Sequence, residues 1–160
     1  MIVRAVILSF SLGVFAQFYS SMAFSTDSYT ANLQETKYAD RVVEKRATFN
    51  YQMFCQGCHV ADGSGHKSVP ELKGFMHKFM ATQQGREYLI RVPGVANSVL
   101  NDAELAEVMN WMLQKFGDSS ELDWRPYDAE EVAEYRRHPL NETVDYREKL
   151  ILSLRLEPGL

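Results

Sequence analysis

Cys55-Gln56-Gly57-Cys58-His59 is the stretch that most narrows what this chain can become, because both of its cysteines lie there, three positions apart, with an imidazole directly after the second. Three chemistries use thiols at this spacing. A redox disulfide of the thioredoxin kind usually opens a helix after a buried strand, and nothing before Cys55 reads as a strand. A structural zinc needs four ligands, and the sequence holds no second CxxC and no HxxxH. The third is a porphyrin, whose two vinyl groups can be reached by sulfurs one backbone turn apart, which leaves the following histidine free to ligate iron. On this reading Cys55 and Cys58 carry one covalent haem c, and His59 is the proximal iron ligand.

Around this motif the 160 residues read as one ordinary globular domain with extensions at both ends; apolar and charged fractions are near the usual values, at 46% and 24%. Residues 1–25 read as a secretory signal. Arg4 supplies the positive start, Ala5 to Phe18 the apolar run, and Ser21-Met22-Ala23 or Ala23-Phe24-Ser25 the small residues a signal peptidase accepts. The alternative is an uncleaved membrane anchor, but the apolar run covers about 14 residues, short of the roughly 20 that a spanning helix needs. Cleavage would remove Arg4 and no acid, taking the formal charge from −4 to −5. A mildly acidic protein is poorly suited to nucleic acid or to anionic lipid. Export also agrees with the motif, since bacteria attach haem covalently outside the cytoplasmic membrane.

Residues 26–37 are polar and aperiodic and read as a flexible lead. From Tyr38 to Phe54 a helix is expected, with Val43, Ala47, Tyr51 and Phe54 on one face at steps of four, four and three. Glycines at 63, 65 and 74 with Pro70 exclude regular structure after the motif and allow the backbone to turn closely around a flat ligand. Two short helices are expected at 75–81 and 84–92, separated by Gln83-Gln84-Gly85, and a loop from Pro93 to Val99. Asn101 with Glu104 forms a capping box for a helix carrying Leu105, Val108, Met109, Met112 and Phe116 along one stripe, ended by Gly117. Residues 118–160 form a linker and a helical extension: Asp128 with Glu131 caps one helix, which Pro139 stops, and Asn141 to Leu156 makes another. The apolar segment from Leu150 to Leu156 either folds back as a strap or docks on a partner.

An aromatic-bearing helix, CxxCH, a Gly-rich loop and the Pro70-Glu71-Leu72-Lys73-Gly74 segment together resemble the class I c-type cytochromes over about residues 38–117. The resemblance implies an all-α, cytochrome c-like domain around a covalently attached haem, followed by the C-terminal helical extension. It implies that the Pro70 carbonyl accepts a hydrogen bond from His59 Nδ1, and that the last helix of the domain crosses the first, bringing Trp111 or its neighbours to Tyr51 and Phe54. It also implies a methionine ligand in the loop before the last helix. That loop, Val92 to Leu100, contains none. Met76 and Met80, one turn apart, are then the distal candidates, with Met80 preferred because it lies nearer the helix break at Gln83-Gln84-Gly85, which could turn it toward the iron. Met109 and Met112 belong to a core stripe, and Met53 lies too near the attachment site to reach the opposite face. His66, His77 and Asn97 are lesser candidates, and His138 reads as a surface residue.

The resulting expectation is a periplasmic one-electron carrier rather than an enzyme. Its partners would be periplasmic redox proteins: a dehydrogenase, of which it could be the acceptor or a subunit, an oxidase or another cytochrome. With a methionine opposite His59 the iron has a raised potential suited to electron transfer. With that face open or its ligand displaceable, gas binding, sensing or weak peroxidase action are the alternatives. A haem-free disulfide oxidoreductase is the remaining rival.

Overall fold

The computed structural model describes residues 24–66, 68–117 and 124–156. Among them the chain is helical, with α1 (Phe24–Phe54), α2 (Gln56–His59), a 3-10 segment (Met76–Ala81), α3 (Gln83–Arg91), α4 (Pro93–Ala96), α5 (Asp102–Phe116), α6 (Ala129–Arg136) and α7 (Thr143–Leu156). An isolated bridge between His66 and Val69 takes the place of any sheet among these residues. Residues up to Val42 and those from Val43 onward are separate compact units, and the packing that follows belongs to the second. Except for Phe24 and Ser25, the expected signal segment lies outside the described residues, as does 118–123 of the expected linker.

Helix α1 starts well before Tyr38 and covers the whole of 26–37, so the expectation of a flexible lead is corrected. No glycine or proline interrupts Phe24 to Phe54, and Ala31, Leu33, Gln34, Glu35 and Lys37 are strong helix formers. A polar, aperiodic face removes a reason for burial, not the capacity for helix. Of the expected stripe, Ala47 and Tyr51 are buried at 1% exposure each, whereas Val43 and Phe54 remain exposed at the two ends. Tyr51 packs against Trp111 and Phe116, with ring centroids 5.3 and 5.2 Å apart. Its hydroxyl donates to the carbonyl of Val60. That bond holds Val60 at φ 64°, a left-handed conformation that a β-branched residue adopts only under constraint.

The two helices expected between 75 and 92 are present, and the junction has a specific cause. Thr82 caps α3 by accepting from Gly85 N–H at 3.1 Å. A Cβ on Gly85 would lie 1.9 Å from the Phe79 carbonyl oxygen, so glycine lets α3 start directly beneath the 3-10 segment. Pro93–Ala96, expected as loop, makes one helical turn, because proline at the first helical position is preset for it. The capping box of α5 is complete, with Glu104 N–H to Asn101 Oδ1 at 3.0 Å and Asn101 N–H to Glu104 Oε2 at 3.1 Å.

The extension folds back onto the domain. Val132, Leu140, Leu150 and Leu154 are buried within the same core cluster as α3 and α5, which is the strap arrangement. Asn110 ties it down twice, donating to Tyr127 O at 2.9 Å and accepting from Tyr127 N–H at 2.8 Å. Nearby, Arg86 forks onto both carboxylate oxygens of Glu131 at 2.9 and 2.7 Å, donates to Arg125 O at 2.6 Å and stacks on Tyr127. Burial alone would push the Glu131 carboxyl up, but Arg86, Tyr135 and Arg125 together hold it below its ordinary value. Its contribution to stability is therefore full above about pH 4.5 and is lost as the pH falls through the depressed value. Breaking a buried ion pair from one side costs about 3–5 kcal/mol. Arg86→Ala is expected near the lower figure in urea unfolding, because Arg125 still reaches Glu131 at 2.9 Å; a loss under about 1 kcal/mol would contradict this.

Candidate haem site

Helix α1 delivers Cys55 at its end, and α2 turns immediately, with His59 N–H donating to Cys55 O at 3.0 Å and Val60 N–H to Gln56 O at 2.8 Å. Cys55 is half-buried, Cys58 is exposed, and neither is in a disulfide. Burial first, and then proximity to Cys58, pushes the Cys55 thiol up to about 11. A redox-active CxxC needs the opposite shift, toward an accessible thiolate at neutral pH, which argues against the oxidoreductase reading.

The Gly-rich loop then folds back beneath His59. Leu72 and Lys73 donate to the carbonyl of Gly63 at 2.8 and 3.2 Å, and Gly65 donates to that of His59 at 3.2 Å. Gly65 sits at φ +71° with Val69 O and Pro70 O at 2.5 and 2.9 Å from where a Cβ would be, so only glycine allows this approach. The approach places the Pro70 carbonyl oxygen 3.2 Å from His59 Nδ1. A carbonyl can only accept, so Nδ1 carries the proton and Nε2 keeps its lone pair. Burial lowers the imidazole's affinity for a second proton, and the Pro70 bond partly offsets that.

His59, Val69, Pro70 and Leu72 help to line a cavity of about 330 Å³. Phe54, Cys55, Cys58 and His59 form one edge, and residues 68–72 run beside them. Met76 and Phe79, then Tyr88, Leu89 and Val92, then Gly94 and Val95, continue the lining, while Met109 and Met112 enter from α5. The last contributors were not expected: Thr143 and Arg147 of the extension. Arg147 is the one lysine or arginine among the described lining residues, and its guanidinium lies 4.9 Å from the Phe75 ring centroid. The signal for it was the spacing of Thr143, Arg147, Leu150 and Leu154, which puts the first two in register with the buried leucines. A largely apolar cavity with both thiols and a tautomerically fixed imidazole at its edge fits a porphyrin bound through two thioethers.

Of the two distal candidates, Met76 borders the cavity and Met80 does not. Met80 is buried but does not line the cavity; its sulfur lies 3.4 Å from the Tyr127 hydroxyl, which donates to the Arg86 carbonyl at 2.9 Å. Met76, one turn earlier, lines the cavity, as do Met109 and Met112. His66, His77, Asn97 and His138 do not. His77 is buried among core residues beside Gly117.

No protein-family model matches the sequence. Two curated proteins do, both called cytochrome c-552: one from Thermus thermophilus and one from a particular strain of the same species. Each is 31% identical over 121 residues, covering 63% of this chain and 92% and 82% of the respective relatives. With the helical fold and the CxxCH cavity already described, this similarity shows that the chain belongs to the c-type cytochromes.

Proposed function

We propose that the chain is an exported one-electron carrier in which Cys55 and Cys58 bind a single haem c through thioether bonds and His59 Nε2 ligates its iron. The 3.2 Å approach of Pro70 O to His59 Nδ1 carries this reading, because it fixes the tautomer a metal ligand needs and raises the basicity of Nε2. When bound, the haem supplies the reversible ferric–ferrous couple. The chain holds it in a largely apolar pocket whose lining carries one cation, Arg147, and one carboxylate, Glu71; the Arg147 charge favours the reduced state. Residues 1–25 support delivery to the periplasm. Among the described residues no helix is long and apolar enough to cross a membrane. Partners of matching location are a periplasmic dehydrogenase, an oxidase or another cytochrome.

Potentiometric titration of full-length protein from a host that matures such cytochromes tests the reading. A single reversible one-electron wave is expected, from a haem that stays on the polypeptide in denaturing electrophoresis. Arg147→Gln is expected to lower the midpoint, because it removes a cation from the lining whose charge stabilises the reduced over the oxidised state. A haem-free product, or one that cannot be cycled between the two states, would sink the proposal.

A further inference from the structure

We infer that Tyr88, Thr143 and Arg147 together form a carboxylate-binding site in the cavity wall, and that the group they hold is a carboxylate arm of the haem. The inference rests on the haem reading above and deepens it. That reading says how the porphyrin is stitched down at Cys55 and Cys58, and not what receives its acidic groups.

Three donors come together here from two elements. Thr143 and Arg147 both line the cavity and lie one turn apart on α7, so they share a face of that helix. Tyr88 of α3 lines the same cavity and is only 5% exposed. It stacks on Tyr146, the residue before Arg147, with ring centroids 5.9 Å apart and planes 4° from parallel. The Arg147 guanidinium lies 4.9 Å from the Phe75 centroid and 6.0 Å from that of Phe79, whose ring is 5.0 Å from that of Tyr88. Stacking uses the face of a guanidinium and leaves its edge N–H groups, the fork that fits a carboxylate. Among the described residues, none of the three side chains donates to a protein acceptor.

The chemistry selects the ligand. Burial pushes the Tyr88 phenol up, and the Arg147 charge only partly offsets that, so the hydroxyl keeps its proton and can donate. One cation with two hydroxyl donors suits an anion that carries several acceptor lone pairs. A porphyrin bound through its two vinyl groups retains two carboxylate arms. In a largely apolar cavity an ionised carboxylate needs a paired charge and hydrogen bonds in place of water. Glu71, the carboxylate of the lining, is exposed and keeps its own solvation. On the adjoining elements Arg86 pairs with Glu131 and Arg91 with Glu87, while Lys78, Asp145 and Glu148 are exposed. His77 is buried outside the lining.

Isotope-difference infrared spectroscopy of the full-length haem protein, with carbon-13 at the porphyrin carboxyls, reads the protonation of these arms alone. One labelled carboxyl is expected to stay ionised below the ordinary carboxylate range as the pH falls. Arg147→Gln should raise its pKa by about 1–3, and Tyr88→Phe and Thr143→Val should raise it by less. Arg147→Lys, which keeps the charge and loses the fork, should lie between Arg147→Gln and the wild type. Lost packing alone would not move a carboxyl titration in this order, and Tyr88→Phe, which removes one oxygen, decides the matter even if Arg147→Gln does not fold. Labelled carboxyls that titrate alike in the wild type and the variants overturn the inference and leave the carrier reading standing. Labelled acetate that gives an Arg147-dependent band, with the haem carboxyls unshifted, shows a free carboxylate in the site and overturns its assignment to the cofactor. A colourless polypeptide overturns both readings.

Discussion

Replacing Cys55 and Cys58 together by serine is expected to yield a chain that carries no covalent haem and does not hold its tertiary structure. The cavity of about 330 Å³ that the two thiols border would lose its tethered occupant. At ~24 cal/mol per Å³ of unfilled volume this amounts to at most ~8 kcal/mol, at most because the cavity opens to solvent on one side. A domain of this size is typically stable by only about 5–15 kcal/mol, so the deficit consumes most or all of it. Haem staining after denaturing electrophoresis should be blank, and the near-ultraviolet circular dichroism of Trp111, Tyr51 and Phe116 should largely vanish while helical signal persists. A double variant that still stains would mean the porphyrin is held by something other than these sulfurs.

Gly65→Ala is expected to have the next largest effect. Alanine in the left-handed region costs about 1–2 kcal/mol in itself, and its Cβ would press on Val69 O and Pro70 O at 2.5 and 2.9 Å. Both neighbours are backbone, so the relief must come from moving the Pro70 carbonyl away from His59 Nδ1. Two readouts separate this from simple destabilisation. The folded protein should lose roughly 3 kcal/mol or more in denaturant titration, and, on the ligation proposed above, the acid transition that releases His59 should move to higher pH, because a weaker ligand yields to a proton sooner. Gly57→Ala is the control: a Cβ there meets nothing within 4 Å and its φ is not positive. It should change stability by less than about 1 kcal/mol, in the stabilising direction. Equal behaviour of the two variants would remove the special status of Gly65.

What the sequence showed and what it hid divide along a physical line. CxxCH, the capping box at Asn101 and the α5 stripe are local patterns whose meaning depends on residues a turn or two away, and all were legible. The last helix meets the first through Tyr51 and Trp111, as the resemblance implied, although Phe54 lies on the cavity's edge. The ranking of Met80 over Met76 depended on which way a short 3-10 segment faces, and the contact of Met80 with Tyr127, 47 positions away, was beyond the reach of a local pattern. Arg136 and Arg147 were invisible for the same reason. A lone arginine on a polar helix reads as solvated surface until the element it folds onto is known.

Arg147 and Thr143 sit near the end of a chain whose thiols come much earlier. A polypeptide delivered N-terminus first therefore presents its attachment sequence before one side of the eventual chamber exists, and Cys58 remains exposed even after folding is complete. On the haem reading proposed above, attachment would act on an open, unhindered motif, with the Thr143–Arg147 side of the chamber added after it.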